Sequence, residues 1–232
     1  MKKYLFEELK ERPYPFHQYM DKETIIWLKN KLEINYKKND ILRIIFDYQK
    51  FPINDLDINI EYYAQNNSLS IHGIRHQIRV SIYIWLLINY LKIKISKSDF
   101  TTLLQASLYH DIKRINDNED LNHGFNSAIW INEHYPFIKT EIIKAIENHD
   151  KSLTNYNIYD RLIKTADALD RYRLPKEKWW IRKEYFLLNI NDEILEFAKF
   201  ITTYIEENTY YLKDYQKIID EVKKCLKKLE II

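Results

Sequence analysis

The chain has 232 residues, of which 46% are hydrophobic and 30% charged. That balance belongs to a globular chain long enough for a sizeable core, not to a disordered one. Two glycines and five prolines leave too few turn-formers for a β-sandwich. They also exclude a G-x-G-x-x-G dinucleotide loop and a P-loop, and a helical fold is expected.

The charge balance is 36 Lys and Arg against 34 Asp and Glu, a net +2. This gives no general field for a nucleic acid backbone, so no nucleic acid partner is expected. The single cysteine, Cys225, has no partner for an intramolecular disulfide, which favours a reducing compartment. The first sixteen residues hold no apolar run of signal-peptide length. The most apolar stretch, Ile82 to Leu91, carries Asn89 and falls well short of the roughly 20 residues that span a bilayer. A cytoplasmic protein with no membrane association is expected.

In chain order, the segment up to about Lys50 is amphipathic. Ile25, Leu28 and Leu32 form one helical stripe within Glu23 to Leu32, and Ile41 to Tyr48 continues in the same style. Phe51-Pro52-Ile53-Asn54-Asp55 breaks the pattern, and residues 51–71 read as a connection, with a turn signal at Asn66-Asn67-Ser68. From Gly73, apolar residues at Ile74, Ile78, Ile82, Trp85 and Leu86 predict a helix. A second helix is expected from about Ser98, as N-cap, to Tyr109. A third starts near Gly124 and ends before Pro136. A fourth covers about Ile138 to Asn148, and a fifth runs from Ile158 to Tyr172, stopped by Pro175. Two or three more helices follow, ending in the Lys-rich stretch Asp220 to Leu229. Its lysines, Lys223 to Lys228, read as the solvated face of an amphipathic helix. Trp179 and Trp180 are expected in the core beneath this C-terminal part.

The seven histidines are informative in their placement. Both glycines directly follow a histidine, in His72-Gly73 and His123-Gly124, which suggests histidines aimed from helix entrances. His76 falls early in its helix. His110-Asp111 and His149-Asp150 each end a helix. Asp167 lies inside a well-patterned helix, where a buried carboxylate is costly unless paired or bound to a metal. Helical bundles build metal sites from imidazoles and carboxylates that converge from several helices.

The set H-x-x-R-V at His76 to Val80, H-D at 110 and 111, H-G-x-x-S-A from His123, A-I-x-x-H ending at His149 and A-D-A-L-D-R at 166 to 171 resembles the HD-domain superfamily of metal-dependent phosphohydrolases. The resemblance covers residues 70 to 173. It implies an all-α, HD-domain-like helical bundle at 71–174, with an N-terminal helical extension (1–70) and a C-terminal helical cap (175–232), packed as one unit. It implies His76, His110, Asp111, His123, His149 and Asp167 as ligands of two divalent metals, with Asp111 bridging them. A mixed nitrogen and oxygen set without thiolate suits iron or manganese, with nickel, cobalt or magnesium as further choices. Such a pair lowers the pKa of a shared water and neutralises charge on a phosphoryl group.

Arg114 stands three residues after Asp111, where some two-metal members carry lysine, and its planar fork suits phosphate. Asp111 and Arg114 are thus the expected catalytic residues. Arg79, Lys113 and His72 are candidate substrate contacts, although Arg79 could instead anchor a ligand from behind and His72 could serve only the helix entrance. Asp160, Lys164, Asp167 and Arg171 form one polar stripe, and Asp170 and Arg171 look structural or placed behind a ligand. His17 and His134 read as surface residues. The G-Y-P signature of the cyclic-dinucleotide phosphodiesterases is missing. The expected substrate is a nucleotide or other phosphate ester. The same ligand set also fits a di-iron oxygenase, and a nucleotide-sensing module without turnover is the third reading.

Overall fold

The longest apolar run of the sequence becomes the central helix. In a computed structural model that describes residues 22–34, 36–63, 71–114, 120–174, 180–181 and 183–232, every residue from Ile74 to Ile88 of this helix is buried. The other helices pack around it. In chain order they are α1 (Lys22–Lys31), α2 (Lys38–Ile45), α3 (Ile60–Tyr63), the central α4 (Ile74–Tyr90), α5 (Lys97–Ser107), α6 (His123–His134), α7 (Thr140–Glu147), α8 (Ile158–Leu169), α9 (Asp192–Thr209) and α10 (Tyr215–Lys228). Short 3-10 turns follow at Asp170–Arg173 and Lys183–Tyr185. No strand occurs among the described residues, so the fold is all-α, as the composition predicts.

Several helix starts are set by side chains that take up free N–H groups of the first turn. Asn157 Oδ1 accepts from the N–H of Tyr159 and Asp160, and Asp160 Oδ2 accepts from the N–H of Asn157 at 2.8 Å. This reciprocal box opens α8. Asn191 and Asp214 cap α9 and α10 by accepting one N–H each, from Ile194 and Lys217. The cap expected at Ser98 lies two residues earlier, where Ser96 Oγ accepts from the Asp99 N–H at 3.0 Å. The S-x-x-D spacing from Ser96 supplies an acidic third residue that Ser98 lacks.

Three further boundaries differ from the sequence reading. Ile138 sits in a turn, its N–H bonded to the Tyr135 carbonyl, so α7 begins at Thr140. The connection 51–71 contains the one-turn α3, with Asn59 Oδ1 accepting from the Glu61 N–H. The fifth expected helix tightens to 3-10 at Asp170, where Asp170 and Arg173 turn inward and are buried. Asn66 to Ser68, His17, Trp179 and Pro175 lie outside the described residues.

The packing is set by α4. One face meets α8, another α5, and a third meets α9. The contact with α9 is polar as well as apolar. Arg75 donates to Thr209 Oγ1 and to the carbonyls of Thr209 and Leu212, and so satisfies the last carbonyl of α9 and one in the turn beyond it. One turn on is Arg79, and one turn further the Tyr83 hydroxyl meets Thr202 Oγ1 at 2.6 Å. One cluster of buried apolar side chains runs from Ile25 to Ile231. Full burial of each large aliphatic residue in it contributes about 1.5–3 kcal/mol.

The connection after α2 is tied to Ile231 and to α4. The Phe51 N–H bonds to the Ile231 carbonyl at 2.8 Å, and Trp85 Nε1 donates to the Gln49 carbonyl. Trp180 packs half-buried against Trp27 and Tyr172. On α10, Ile218, Ile219, Val222, Cys225 and Leu226 face inward, and Lys224, Lys227 and Lys228 are exposed. Cys225 is a free thiol, with its pKa pushed up to about 11 by burial. His134 is exposed, with its ring stacked on Trp130. No described helix is long and apolar enough to cross a membrane.

Candidate metal centre

Three histidines are aimed by one local device. His110 follows the end of α5, and its Nδ1 donates to the Ser107 carbonyl at 2.7 Å. His149 follows the end of α7, and its Nδ1 donates to the Ile146 carbonyl at 2.7 Å. His123 opens α6, and its Nδ1 donates to the Asp120 carbonyl. Each ring therefore reaches back three residues to a main-chain oxygen. A carbonyl only accepts, so Nδ1 carries the proton, and in the neutral ring the lone pair sits on Nε2. The fourth histidine, His76 on α4, donates from Nδ1 to Asp170 Oδ2 at 2.7 Å. All four Nε2 atoms are left pointing at one another.

The geometry falls into two sets joined by Asp111. His76 Nε2 lies 3.1 Å from His110 Nε2, 3.6 Å from Asp111 Oδ2 and 3.3 Å from Asp167 Oδ1. His123 Nε2 lies 3.1 Å from His149 Nε2, and both lie 3.3 Å from Asp111 Oδ1. His76, His110 and Asp111 form one buried group able to hold a metal ion, and Asp111, His123 and His149 form the second. The structure brings the six expected ligands into this one place. Asp167 is the outermost, with its side chain 30% exposed.

The donor set fits cations. Asp111 Oδ1 is buried and accepts no hydrogen bond among the described residues, a costly state for a carboxylate oxygen. Two imidazole lone pairs 3.1 Å apart repel each other unless a proton or a metal ion stands between them. Burial pushes the His110 pKa down to about 4, so this ring is neutral at pH 7 and free to ligate. Burial also opposes charge on Asp111, but His110 and the neighbouring imidazoles prevail and hold its carboxyl well below the usual range. Asp167 is held at about 2, against burial, chiefly by His76. Four imidazole nitrogens and two carboxylates, with no thiolate, match the preferences of first-row divalent metals.

Gly124 lets α6 approach the end of α7. A Cβ there would meet the carbonyl oxygens of Glu147 and Ile146 at 3.0 and 3.1 Å and His149 Nδ1 at 3.2 Å. Gly73 is the N-cap of α4 with extended backbone, φ −77°. Neither glycine has positive φ, so at Gly124 the requirement is space and not the left-handed region.

A cavity of about 430 Å³ opens over the cluster, within the size range of small-molecule sites. Arg114 stands on its wall and donates from Nη1 to His123 Nε2 at 3.0 Å. His72 is also on the wall, and burial holds its imidazole well below its usual range, with Arg114 and Arg173 adding to the shift. Lys164 donates to the carbonyls of His149 and Lys151 and so fixes the turn that carries His149. Two of the expected substrate contacts are placed elsewhere. Arg79 is 1% exposed and does not line the cavity, because its guanidinium is held between Asp170 and Glu206. Lys113 is not on the wall either, and its N–H donates to Ser127 Oγ.

The cavity also has walls that the sequence did not indicate. Tyr185, from the 3-10 turn after the core segment, is 37% exposed and lies beneath the Arg171 guanidinium, 4.8 Å from carbon to ring centre. Tyr156 lines the opposite approach beside Lys164. Nothing local marks these tyrosines among the nineteen in the chain. No family model matches the sequence, no curated protein matches it, and no solved structure matches it.

Proposed function

We propose that this protein is a metal-dependent phosphohydrolase of the HD type, which cleaves a phosphomonoester or phosphodiester bond, that of a nucleotide by preference. The observation that carries the reading is Asp111, whose buried Oδ1 has no hydrogen-bond partner among the described residues and whose carboxylate is shared between two histidine sets. The order of motifs along the chain, from H-x-x-R-V to A-D-A-L-D-R, supports the same reading. His76, His110, Asp111 and Asp167 would hold one ion, and Asp111, His123 and His149 a second, with iron or manganese favoured by the donors. Divalent ions bound there would supply a water of lowered pKa and offset the charge on a phosphoryl group.

The protein's own part is positioning. Arg114 presents a planar fork beside His123, suited to two phosphoryl oxygens. Asp111 is fixed by burial, and His110, His123 and His149 by main-chain acceptors as well, so little reorganisation is needed when charge develops. Tyr185 offers a planar face on which a base can stack.

The test starts from elemental analysis of protein purified without chelator, followed by phosphate release from a nucleotide panel with manganese or iron, in air and without oxygen. About two ions per chain are expected, with turnover independent of oxygen. Asp111→Ala should abolish turnover and leave the helical circular dichroism unchanged. Activity confined to the iron form, with oxygen consumed, would replace the reading with an oxygenase. Tight nucleotide binding without product would replace it with a sensor, and full activity in Asp111→Ala would overturn the role of the site.

A further inference from the structure

The metal ligand His76 stands at the end of a buried chain of ion pairs that begins on α9. Glu206 Oε1 accepts from Arg79 Nη1 at 2.6 Å. Arg79 Nε donates to Asp170 Oδ1 at 2.6 Å, and its Nη2 donates to Asp170 Oδ2 at 3.1 Å. Asp170 Oδ2 in turn accepts from His76 Nδ1 at 2.7 Å. The four residues are at most 4% exposed. Thr202, one turn before Glu206 on α9, directs its hydroxyl at Asp170 Oδ1 at 3.4 Å. Arg173 adds a second cation 3.4 Å from Asp170 Oδ2.

We infer that Glu206 is a positioning residue for the metal ligand His76, so that helix α9 is part of the metal centre. The inference rests on the metal reading above and adds a residue from a segment that carries none of the ligands. Its physical basis is charge and geometry. Glu206 is one of the buried carboxylates that offset the Arg79 guanidinium, beside Asp170. Asp170 has two oxygens, and both are engaged by Arg79 and His76 together. Glu206 draws the guanidinium toward α9, which sets where the fork presents its remaining N–H groups to Asp170. It also takes up part of the Arg79 charge, so that Asp170 keeps its own for the imidazole. An imidazole that donates to a full carboxylate is a more basic and better oriented ligand. Loss of the Glu206 charge leaves Arg79 with one carboxylate partner fewer, a few contacts from a site built for cations.

The effect is confined to one half of the centre. His110, His123 and His149 lean on main-chain carbonyls, and only His76 leans on this chain. The test is a titration of metal-free full-length protein with Co²⁺, followed by its visible absorption, in wild type, Glu206→Gln and Glu206→Asp. Two binding steps are expected in wild type. Glu206→Gln should weaken one step about tenfold, the low end for partners behind a ligand, and leave the other unchanged. The Nδ1–H proton resonance of His76 in the cobalt protein should shift while those of the other three histidines stay. Glu206→Asp, which keeps the charge, should recover most of the lost affinity. If the Gln variant does not fold, the Asp variant read in the same way should show a smaller loss at the same step. Unchanged affinity at both steps, or equal loss at both with lowered thermal stability, would overturn the inference and leave Glu206 a packing residue. Wild-type protein that takes up no cobalt would instead overturn the metal reading itself.

Discussion

Gly124 and His149 are in contact through a space that holds no side chain. A Cβ at 124 would stand 3.2 Å from His149 Nδ1 and nearer still to the two last carbonyls of α7. One of those, Ile146 O, is the acceptor that aims the His149 ring. The close approach of α6 to α7 is therefore what brings Nε2 of His123 and His149 to 3.1 Å.

Gly124→Ala sets two effects against each other. Alanine favours helix over glycine by up to about 1 kcal/mol, less so at this second position of α6. The added methyl must push back main-chain oxygens of a packed helix end, which costs about 1–3 kcal/mol. The cost wins, and the melting temperature should fall by roughly 2–4 °C for a chain of this length. The metal affinity of the His123 and His149 half should fall further, while the His76 half is spared. A variant as stable as wild type with both affinities intact would show that α7 yields freely.

Asp167 and Asp170 look alike in the sequence, three residues apart in A-D-A-L-D-R, yet they meet different surroundings. Asp170 is fully buried among Arg79, Arg173 and His76. Burial opposes its charge, but Arg79 prevails and holds its carboxyl well below the usual range. Asp167 reaches the cavity with 30% of its side chain exposed. Asp170→Asn should therefore cost about 3–5 kcal/mol, because it leaves buried cations uncompensated, and lower the melting temperature by roughly 10 °C. Asp167→Asn should lower the melt by less than Asp170→Asn and remove metal and turnover. Thermal denaturation of both metal-free variants checks the contrast. Equal losses of stability would refute the division of labour.

The placement of His110, His123 and His149 was legible because each is aimed locally. A histidine that follows or opens a helix and reaches back three residues needs only its own turn to be aimed, and glycine beside it marks a close approach. Helix type was legible for the same reason, since the apolar period is local. Caps were less so, because Ser96 and Ser98 compete and the choice depends on which has Asp99 three residues on. The role of Arg79 was legible only as one of two alternatives. Its partners Asp170 and Glu206 lie 91 and 127 residues away, and on an isolated helix an arginine beside a ligand looks available to substrate. Tyr185 was hidden likewise, because the turn that carries it enters the cavity wall only through the fold.

At the other end of the helices that carry His110, His149 and Asp167, a single carboxylate ties three elements together. Asp99 at the start of α5 accepts from Lys139 Nζ, at the head of α7, and from the Tyr159 hydroxyl on α8, both at 2.9 Å. Its pKa is lowered, first by the hydrogen bond from Lys139, and burial opposes this only in part. A carboxyl whose folded pKa is depressed stabilises the fold above its unfolded pKa, and that contribution disappears as pH falls through the folded value. Asp99→Asn should then melt below wild type at pH 7, and the gap should narrow from about pH 4 downward, the unfolded value for aspartate. Paired melts of wild type and variant across this range test it, with added salt as a control. Lys139 is half-exposed, so salt should shrink part of the gap at pH 7 through screening. A gap that stays constant through acid pH would mean that Asp99 acts by packing and not by charge.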